Sequence, residues 1–421
     1  MATVALRFGR GTAEFEIRDD CFLGHVRPRA VRALDQVQDA VHRALAEPVG
    51  APPLSELAAA ADTALVLTVD YTRPSPRPLL EPVLEVLHPA SVDTTIAIAL
   101  GHHRQMTREE IAHHLGEQIT ATYEVIQHDA FDPDLHVERG HTSRGTPICV
   151  NRAVFDYDLV IAVGIIEPTY LAGFSGSRKM LMPGMAWHEA IDANHYLITD
   201  PACRVGVLDG NPISEDMDEF ARDLPLDFIL YSVVGPDDED IAIVAGDRHQ
   251  AHREGCRLSE RVFRVAGPMA DIVISSAGGY PYDCDLVQGK KAIIPAYELV
   301  KPGGATIIVS ETEEGWGAER TFVEWLKSFT PDEILVRVKD RKQFSLGAHG
   351  ARILARPVVE RQARVIALVG EHFVAELDGT FVQATSDPME AMAWAHEQAS
   401  RDAGVVAVHE ARRLIVAPQS P

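Results

Sequence analysis

The sequence predicts a two-domain α/β fold, each domain carrying a mostly parallel sheet flanked by helices, with the active site in the cleft between domains. Three observations predict it. The chain has 421 residues, more than one ordinary core accommodates. Short runs rich in Val and Ile alternate with amphipathic helical stretches, the pattern of βα units whose strands are buried on both faces. A second series of such units begins near Asp271, after a charged helical stretch from Arg248 to Val265 that leads into Gly267-Pro268. The boundary is therefore expected near residue 262, giving domains 1–262 and 263–421.

In the first half, Ala64 to Val69, Thr95 to Leu100 and Leu159 to Gly164 read as strands, each followed by a turn and a helix. Their C-terminal ends then face one edge, where ligands of open α/β sheets bind. In the second half, Asp271 to Ser275, Ala305 to Val309, Arg364 to Val369 and Gly404 to Val408 read as strands, with a helix over Lys290 to Leu299.

Composition narrows the function. With 46% hydrophobic and 24% charged residues the chain has the balance of a soluble globular protein. The longest apolar runs, such as Leu159 to Ile166, are strand length and far short of a bilayer span. Met1-Ala2-Thr3-Val4 lacks the basic and apolar blocks of a signal peptide, so a cytoplasmic location is expected. A formal net charge of -23 repels nucleic acid and anionic lipid, so neither is an expected partner. The five cysteines are scattered and never form C-x-x-C, as reduced structural residues would be.

Asp70-Tyr-Thr-Arg-Pro74 stands directly after a strand and ahead of a helix, where backbone N–H groups favour an anion. Arg73 can fork onto a carboxylate or phosphate there; equally, Asp70 and Thr72 can simply cap the turn while Arg73 faces water. Gly101-His-His-Arg104 follows the next strand, with Thr107 and Glu110 as a capping box behind it. That places His102 or His103 at the ligand edge, where an imidazole can take a hydroxyl proton near neutral pH. A lone loop histidine is otherwise structural or solvated.

Glu167-Pro-Thr-Tyr-Leu-Ala-Gly-Phe-Ser-Gly-Ser-Arg-Lys179 is the most informative stretch. Gly173, Ser175 and Gly176 are small enough to let backbone approach a bulky or phosphorylated ligand. Lys179 can pair with phosphate, form a Schiff base or be acylated. The spacing is not that of a Walker loop, and no G-x-G-x-x-G occurs to support a dinucleotide site. His188 and His195 lie on one face of a helix but about 10 Å apart along it, so only one can bind a given ion. Gly278-Gly-Tyr-Pro-Tyr-Asp283 is followed by Gln288 and Lys291, one helical turn apart, a pair suited to a carboxylate and a hydroxyl or else to a solvated helix face.

Taken together, D-x-T-R-P at Asp70 to Pro74, G-x-H-R at Gly101 to Arg104, T-S-R-G-T-P at Thr142 to Pro147, A-G-F-S-G-x-R-K at Ala172 to Lys179, the helical His195, and G-G-Y-P-x-D with Q-x-x-K at Gly278 to Lys291 resemble the nickel-dependent lactate racemase family over nearly the whole chain. The resemblance implies a nickel-pincer nucleotide: a pyridinium mononucleotide with two sulfur-bearing arms, one joined to Lys179 as a thioamide, made by dedicated maturation enzymes. Nickel would sit between the sulfurs and a ring carbon, with His195 as the protein ligand; soft sulfur and imidazole donors suit nickel(II). It also implies that Arg73, Gln288 and Lys291 hold the carboxylate and developing oxyanion of a 2-hydroxy acid. Asp70, Thr72, Gly173, Ser175 and Gly176 would lie at the cofactor, and His103 would be one base. Hydride leaves the carbinol carbon, whose hydrogen is barely acidic, and returns to either face of a planar 2-keto acid.

One departure stands out. Lactate-type members carry a second catalytic histidine in P-H-Y, ten residues before the cofactor lysine, whereas this chain has Pro168-Thr169-Tyr170. A threonine hydroxyl is no base near neutral pH. Either His102, Tyr170 or Lys290 substitutes, or His103 serves both stereoisomers, or the substrate is a longer hydroxy acid or a sugar acid; the last is the favoured expectation. The rival functions are a nicotinamide-dependent 2-hydroxyacid dehydrogenase, whose glycine fingerprint is missing, and a non-catalytic nickel-nucleotide binding protein.

Overall fold

The computed structural model describes residues 1–317 and 319–419 and divides the chain into two units, residues 30–262 and residues 1–29 with 263–421.

In the unit of residues 30–262, six strands form one sheet in the spatial order Asp240–Gly246, Phe228–Val234, Leu159–Ile166, Thr63–Thr68, Asp93–Ile98, Glu124–Gln127. Every neighbouring pair is parallel except the hairpin of Phe228–Val234 with Asp240–Gly246. All eight residues of Leu159–Ile166 are buried, which is why that segment reads as an unbroken apolar run rather than an alternating one. The order reverses between Thr63–Thr68, whose successors lie to one side, and Leu159–Ile166, whose successors lie to the other. Such a switch point opens a crevice at the C-terminal strand ends, because the two chains leaving it diverge.

Helix Arg77–Leu87 covers one face of this sheet. Its apolar positions Leu79, Leu80, Val83, Leu84 and Leu87 recur at helical spacing, are buried, and join a core with Val66, Ile96, Ile98, Ile161 and Val163. Burial of each contributes about 1.5–3 kcal/mol before conformational entropy is counted.

In the other unit, six strands run wholly parallel in the order Gln383–Thr385, Arg364–Leu368, Val300–Val309, Ala270–Ser276, Val405–Val408, Phe22–Val26. The expected 1–262 domain is corrected here. Phe22–Val26 is the edge strand of this second sheet, and the hairpin of Ala2–Phe8 with Gly11–Ile17 turns Val4, Leu6, Ala13, Phe15 and Ile17 into its core beside Ile272, Ile307 and Ile366. The alternation of the hairpin announces one buried face, but which sheet receives that face is a long-range matter that local sequence does not carry.

Among the described residues no helix is long and apolar enough to cross a membrane. Leu80→Ala is expected to destabilise the 30–262 unit by about 2–5 kcal/mol, because a fully buried leucine leaves a cavity. The check is a urea titration in which the midpoint falls while the slope is unchanged.

Candidate active site

Three loops that leave adjacent strand ends of the 30–262 sheet carry the polar residues of interest. After Thr63–Thr68 the chain turns on Asp70, which is almost fully buried. Its Oδ1 accepts from the backbone N–H of Thr72 at 2.9 Å and from the Thr72 hydroxyl at 2.5 Å. Its Oδ2 lies 2.5 Å from Nδ1 of His103, the residue that follows the neighbouring strand Asp93–Ile98. A carboxylate only accepts, so Nδ1 of His103 donates and Nε2 is the ring nitrogen that Asp70 does not engage. Burial by itself would raise the Asp70 carboxyl; the hydrogen bond and charge of His103, helped by Thr72 and Arg73, outweigh it and hold the group at about 2.

Asp70 and Thr72, expected at the cofactor, are hydrogen-bonded to each other, with Asp70 also bonded to His103 and the Thr72 carbonyl to Arg73. Arg73 is held along one edge: its guanidinium donates to the Thr72 carbonyl at 2.9 Å, and Nε lies 3.5 Å from Oε1 of the buried Glu167.

Strand Leu159–Ile166 leads into the loop that ends at Lys179. Pro168-Thr169 pairs antiparallel with Gly173-Phe174 and closes a short hairpin. Gly173 has φ +79, and a Cβ there would stand 2.1 Å from the Val207 carbonyl oxygen. At Gly176, with φ +92, a Cβ would meet Ile166, Tyr231 and His252. Ser175 Oγ donates to the Ile165 carbonyl at 3.0 Å and accepts from the Glu167 N–H at 2.9 Å. At Gly173 and Gly176, two of the three residues expected to cradle a cofactor, the loop packs so closely on its own protein that a side chain would not fit, and Ser175 ties the loop to the end of the strand. Sequence shows that backbone must come close to something, not to what.

The loop is pinned from beneath by Arg178, a buried cation that no local pattern flags. It donates to Ser214 Oγ at 2.8 Å and to Nδ1 of His252 at 3.2 Å, and Nε lies 3.0 Å from Asp218 Oδ1. His252 in turn donates from Nε2 to the Ser175 carbonyl at 2.8 Å; burial and Arg178 push its pKa down to about 3, so it is the neutral imidazole these bonds require. Lys179 itself remains partly exposed. Desolvation by its neighbours lowers its amine to about 7, Arg73 and Arg178 add repulsion, and Glu167 only partly opposes them. The Lys179 carbonyl accepts from the Gly184 N–H at 3.1 Å and the Gly184 carbonyl from the Gly101 N–H at 3.0 Å, which ties the lysine loop to the His103 loop.

His195 lies on helix His188–Tyr196 and is 5% exposed. His188, at the start of that helix, is stacked on Phe131 at 5.0 Å and packed on Trp187 at 4.3 Å, while His102 meets Phe131 at 5.2 Å. His188 and His102 thus belong to an aromatic cluster. Among the described residues no group of three or more His, Cys, Asp or Glu side chains could hold a metal ion. A metal at His195 would need its other donors from a cofactor, and a lysine amine poised near neutrality is the group to which such a cofactor could be joined.

On the other unit, Asp285 caps helix Leu286–Gly289 by accepting from the Gln288 N–H at 2.7 Å. Gln288 and Lys291 are together, the Lys291 ammonium donating to Gln288 Oε1. Lys290, a candidate replacement for the missing histidine, is 1% exposed; its amine donates to the Val287 carbonyl at 2.7 Å and lies 3.4 Å from Glu319, so it is structural. The fully buried Asp283 of the G-G-Y-P-x-D motif accepts from the Gly9 N–H at 2.7 Å and the Glu311 N–H at 3.2 Å, an anchor for the N-terminal hairpin.

Fold and site define a two-domain α/β enzyme in which an aspartate–histidine pair is linked by backbone hydrogen bonds to the loop of Lys179. Residues 8–206 match the family model described as the lactate racemase N-terminal domain, and residues 265–416 match the lactate racemase C-terminal domain. The chain is 31% identical over 426 residues to the lactate racemase of Thermoanaerobacterium thermosaccharolyticum, covering 99% of both chains. It is 33% identical over 342 residues to that of Lactiplantibacillus plantarum, covering 80% of this chain and 81% of the relative. A solved structure of the Thermoanaerobacterium apoprotein superposes with a TM-score of 0.91, covering 99% of this chain and 100% of that one. A Thermotoga maritima protein, 19% identical with a TM-score of 0.67 over 91% of this chain and 97% of its own, shares the fold. This chain belongs to the lactate racemase family.

Two outcomes are expected. In protein made without cofactor, acylation of Lys179 followed by mass spectrometry should rise with pH through about 7, where the ammonium loses its proton, rather than near 10. For Asp70→Asn the sign runs the other way. The folded pKa, about 2, lies below the ordinary value, so the carboxylate stabilises the native state above about pH 4 and that contribution fades as pH falls towards 2. The difference in thermal midpoint between wild type and Asp70→Asn should therefore shrink across that window.

Proposed function

We propose that this chain is a racemase or epimerase that inverts C2 of a 2-hydroxy acid longer than lactate, or of a sugar acid, with a nickel-pincer nucleotide joined to Lys179 and His195 as the protein's nickel ligand. The observation that carries it is the Asp70–His103 pair, 2.5 Å apart, on a loop hydrogen-bonded to the loop of a lysine whose amine is lowered to about 7.

The roles follow from the chemistry of each group. The Arg73 guanidinium, fixed along one edge by Thr72 and Glu167, binds the substrate carboxylate. Gln288 and Lys291 supply a further amide and ammonium for the carboxylate and the developing carbonyl oxygen. His103 takes the hydroxyl proton at Nε2, and Asp70 acts as a positioning residue that fixes the tautomer and stabilises the imidazolium. When bound, the nickel nucleotide supplies a hydride acceptor, which the weak acidity of the carbinol C–H makes necessary. Loss of both hydrogens leaves a planar 2-keto acid, open to return from either face.

The substrate assignment rests on Thr169, half-buried in the hairpin beside Gly173, which offers no base on its side. The test is coexpression with the cofactor-making enzymes, measurement of nickel and of the Lys179 mass, and chiral analysis of a panel of 2-hydroxy and sugar acids. An adduct, about one nickel per chain and inversion of a longer acid in preference to lactate are expected. A loaded protein that turns over no 2-hydroxy acid would favour a binding role, which losing one base permits. Thr169→His should raise lactate racemisation by about 10²-fold, the lower end of what a positioned base contributes; unchanged lactate turnover would mean that position 169 does not address the substrate.

A further inference from the structure

The motif Thr142-Ser-Arg-Gly-Thr-Pro147 carries none of the chemistry above, yet it converges on one buried acid. Asp216, on helix Pro212–Ala221, is 0% exposed. Its Oδ1 accepts from the Thr142 hydroxyl at 2.5 Å, and its Oδ2 accepts from the Thr146 hydroxyl at 2.7 Å and from Nδ2 of Asn194 at 2.8 Å. Asn194, also 0% exposed, directly precedes His195 and donates in addition to the Ile213 carbonyl at 3.3 Å. A carboxylate out of water is costly unless its lone pairs are filled, and here three donors from two other segments fill them.

The same helix holds the lysine loop. Two residues to either side of the acid, and so round the helix from it, Ser214 Oγ accepts from Arg178, and Asp218 lies 3.0 Å from Arg178 Nε. One helix therefore grips both the residue before Lys179 and the residue before His195. We propose that Asp216 is a positioning residue that, through Asn194, sets His195 in the register relative to Lys179 that nickel ligation requires. This rests on the functional reading above. The donor arrangement makes the role specific: Thr142 also accepts from the Thr146 N–H at 3.1 Å, so the loop is a preformed clamp on the acid. Glu219, on the same helix, takes Ser143 at 2.8 and 2.6 Å and shares the loop but not Asn194.

The experiment compares wild type, Asp216→Asn and Glu219→Gln, each coexpressed with the cofactor-making enzymes and dialysed against a chelator well below its own melting temperature. Asp216→Asn keeps the volume but turns an N–H₂ towards groups that themselves donate. It is expected to keep the Lys179 adduct and to lose nickel about tenfold to a hundredfold faster than wild type, the range for a group that orients a metal ligand. Hydrogen exchange of residues 188–196 should rise in parallel, while Glu219→Gln matches wild type in both. Nickel retained equally by wild type and Asp216→Asn, or lost equally from Glu219→Gln, would overturn the proposal alone. A wild type with neither adduct nor nickel, under conditions that load a control racemase, would overturn the functional reading and this proposal with it.

Discussion

Parallel pairing of Thr63–Thr68 with Asp93–Ile98 on one side and Leu159–Ile166 on the other is the constraint on which the 30–262 unit depends. Parallel strands cannot be joined by tight turns, so each sends its C-terminal loop over the same edge before a helix returns the chain. Asp70, His103 and the loop reaching Lys179 are far apart in sequence and meet because those three strands are adjacent. The switch point supplies the space; the loops supply the chemistry.

Packing charged side chains at that edge is costly unless their polar atoms are partnered, and the pairings found here also shift the pKa values of the groups beside them. The cost of burying Arg178 is offset by Ser214 and His252, which accept from its guanidinium, and by Asp218 3.0 Å from Nε. The same cation, with Arg73, repels a proton from Lys179 and leaves an amine able to act as a nucleophile near neutral pH. At Asp70 the balance goes the other way, since donors outweigh desolvation and an ionised acid is kept against the His103 ring. One group is kept anionic and the other is allowed to be neutral, each by its own surroundings.

Much of this architecture is legible in the amino-acid sequence. Strand-length apolar runs mark both sheets to within a residue or two at Leu159–Ile166 and Arg364–Leu368, because burial on both faces leaves no alternation to confuse the reading. The Thr107–Glu110 capping box forms as its spacing predicts, with both reciprocal bonds present. Gly173 and Gly176 are recognisable as positions of close approach, but the approaching atoms belong to Val207, Ile166 and Tyr231. Asp70 is visible as a ligand-edge residue and its partner is not, since His103 lies on a different strand. Lys290 looks as available as Lys291 one residue away; only the turn of the helix buries one and leaves the other partly exposed.

What the sequence by itself determined is the α/β class and the sheet edge on which these loops gather, because periodicity and turn residues are local properties. Tertiary structure alone decided which groups face each other. It placed residues 1–29 on the second sheet, paired Asp70 with His103, and brought Thr142, Thr146 and Asn194 to Asp216. Those pairings are chosen by the whole core at once, through strand order and the demand that each buried donor and acceptor be satisfied, and no window of neighbouring residues encodes that choice.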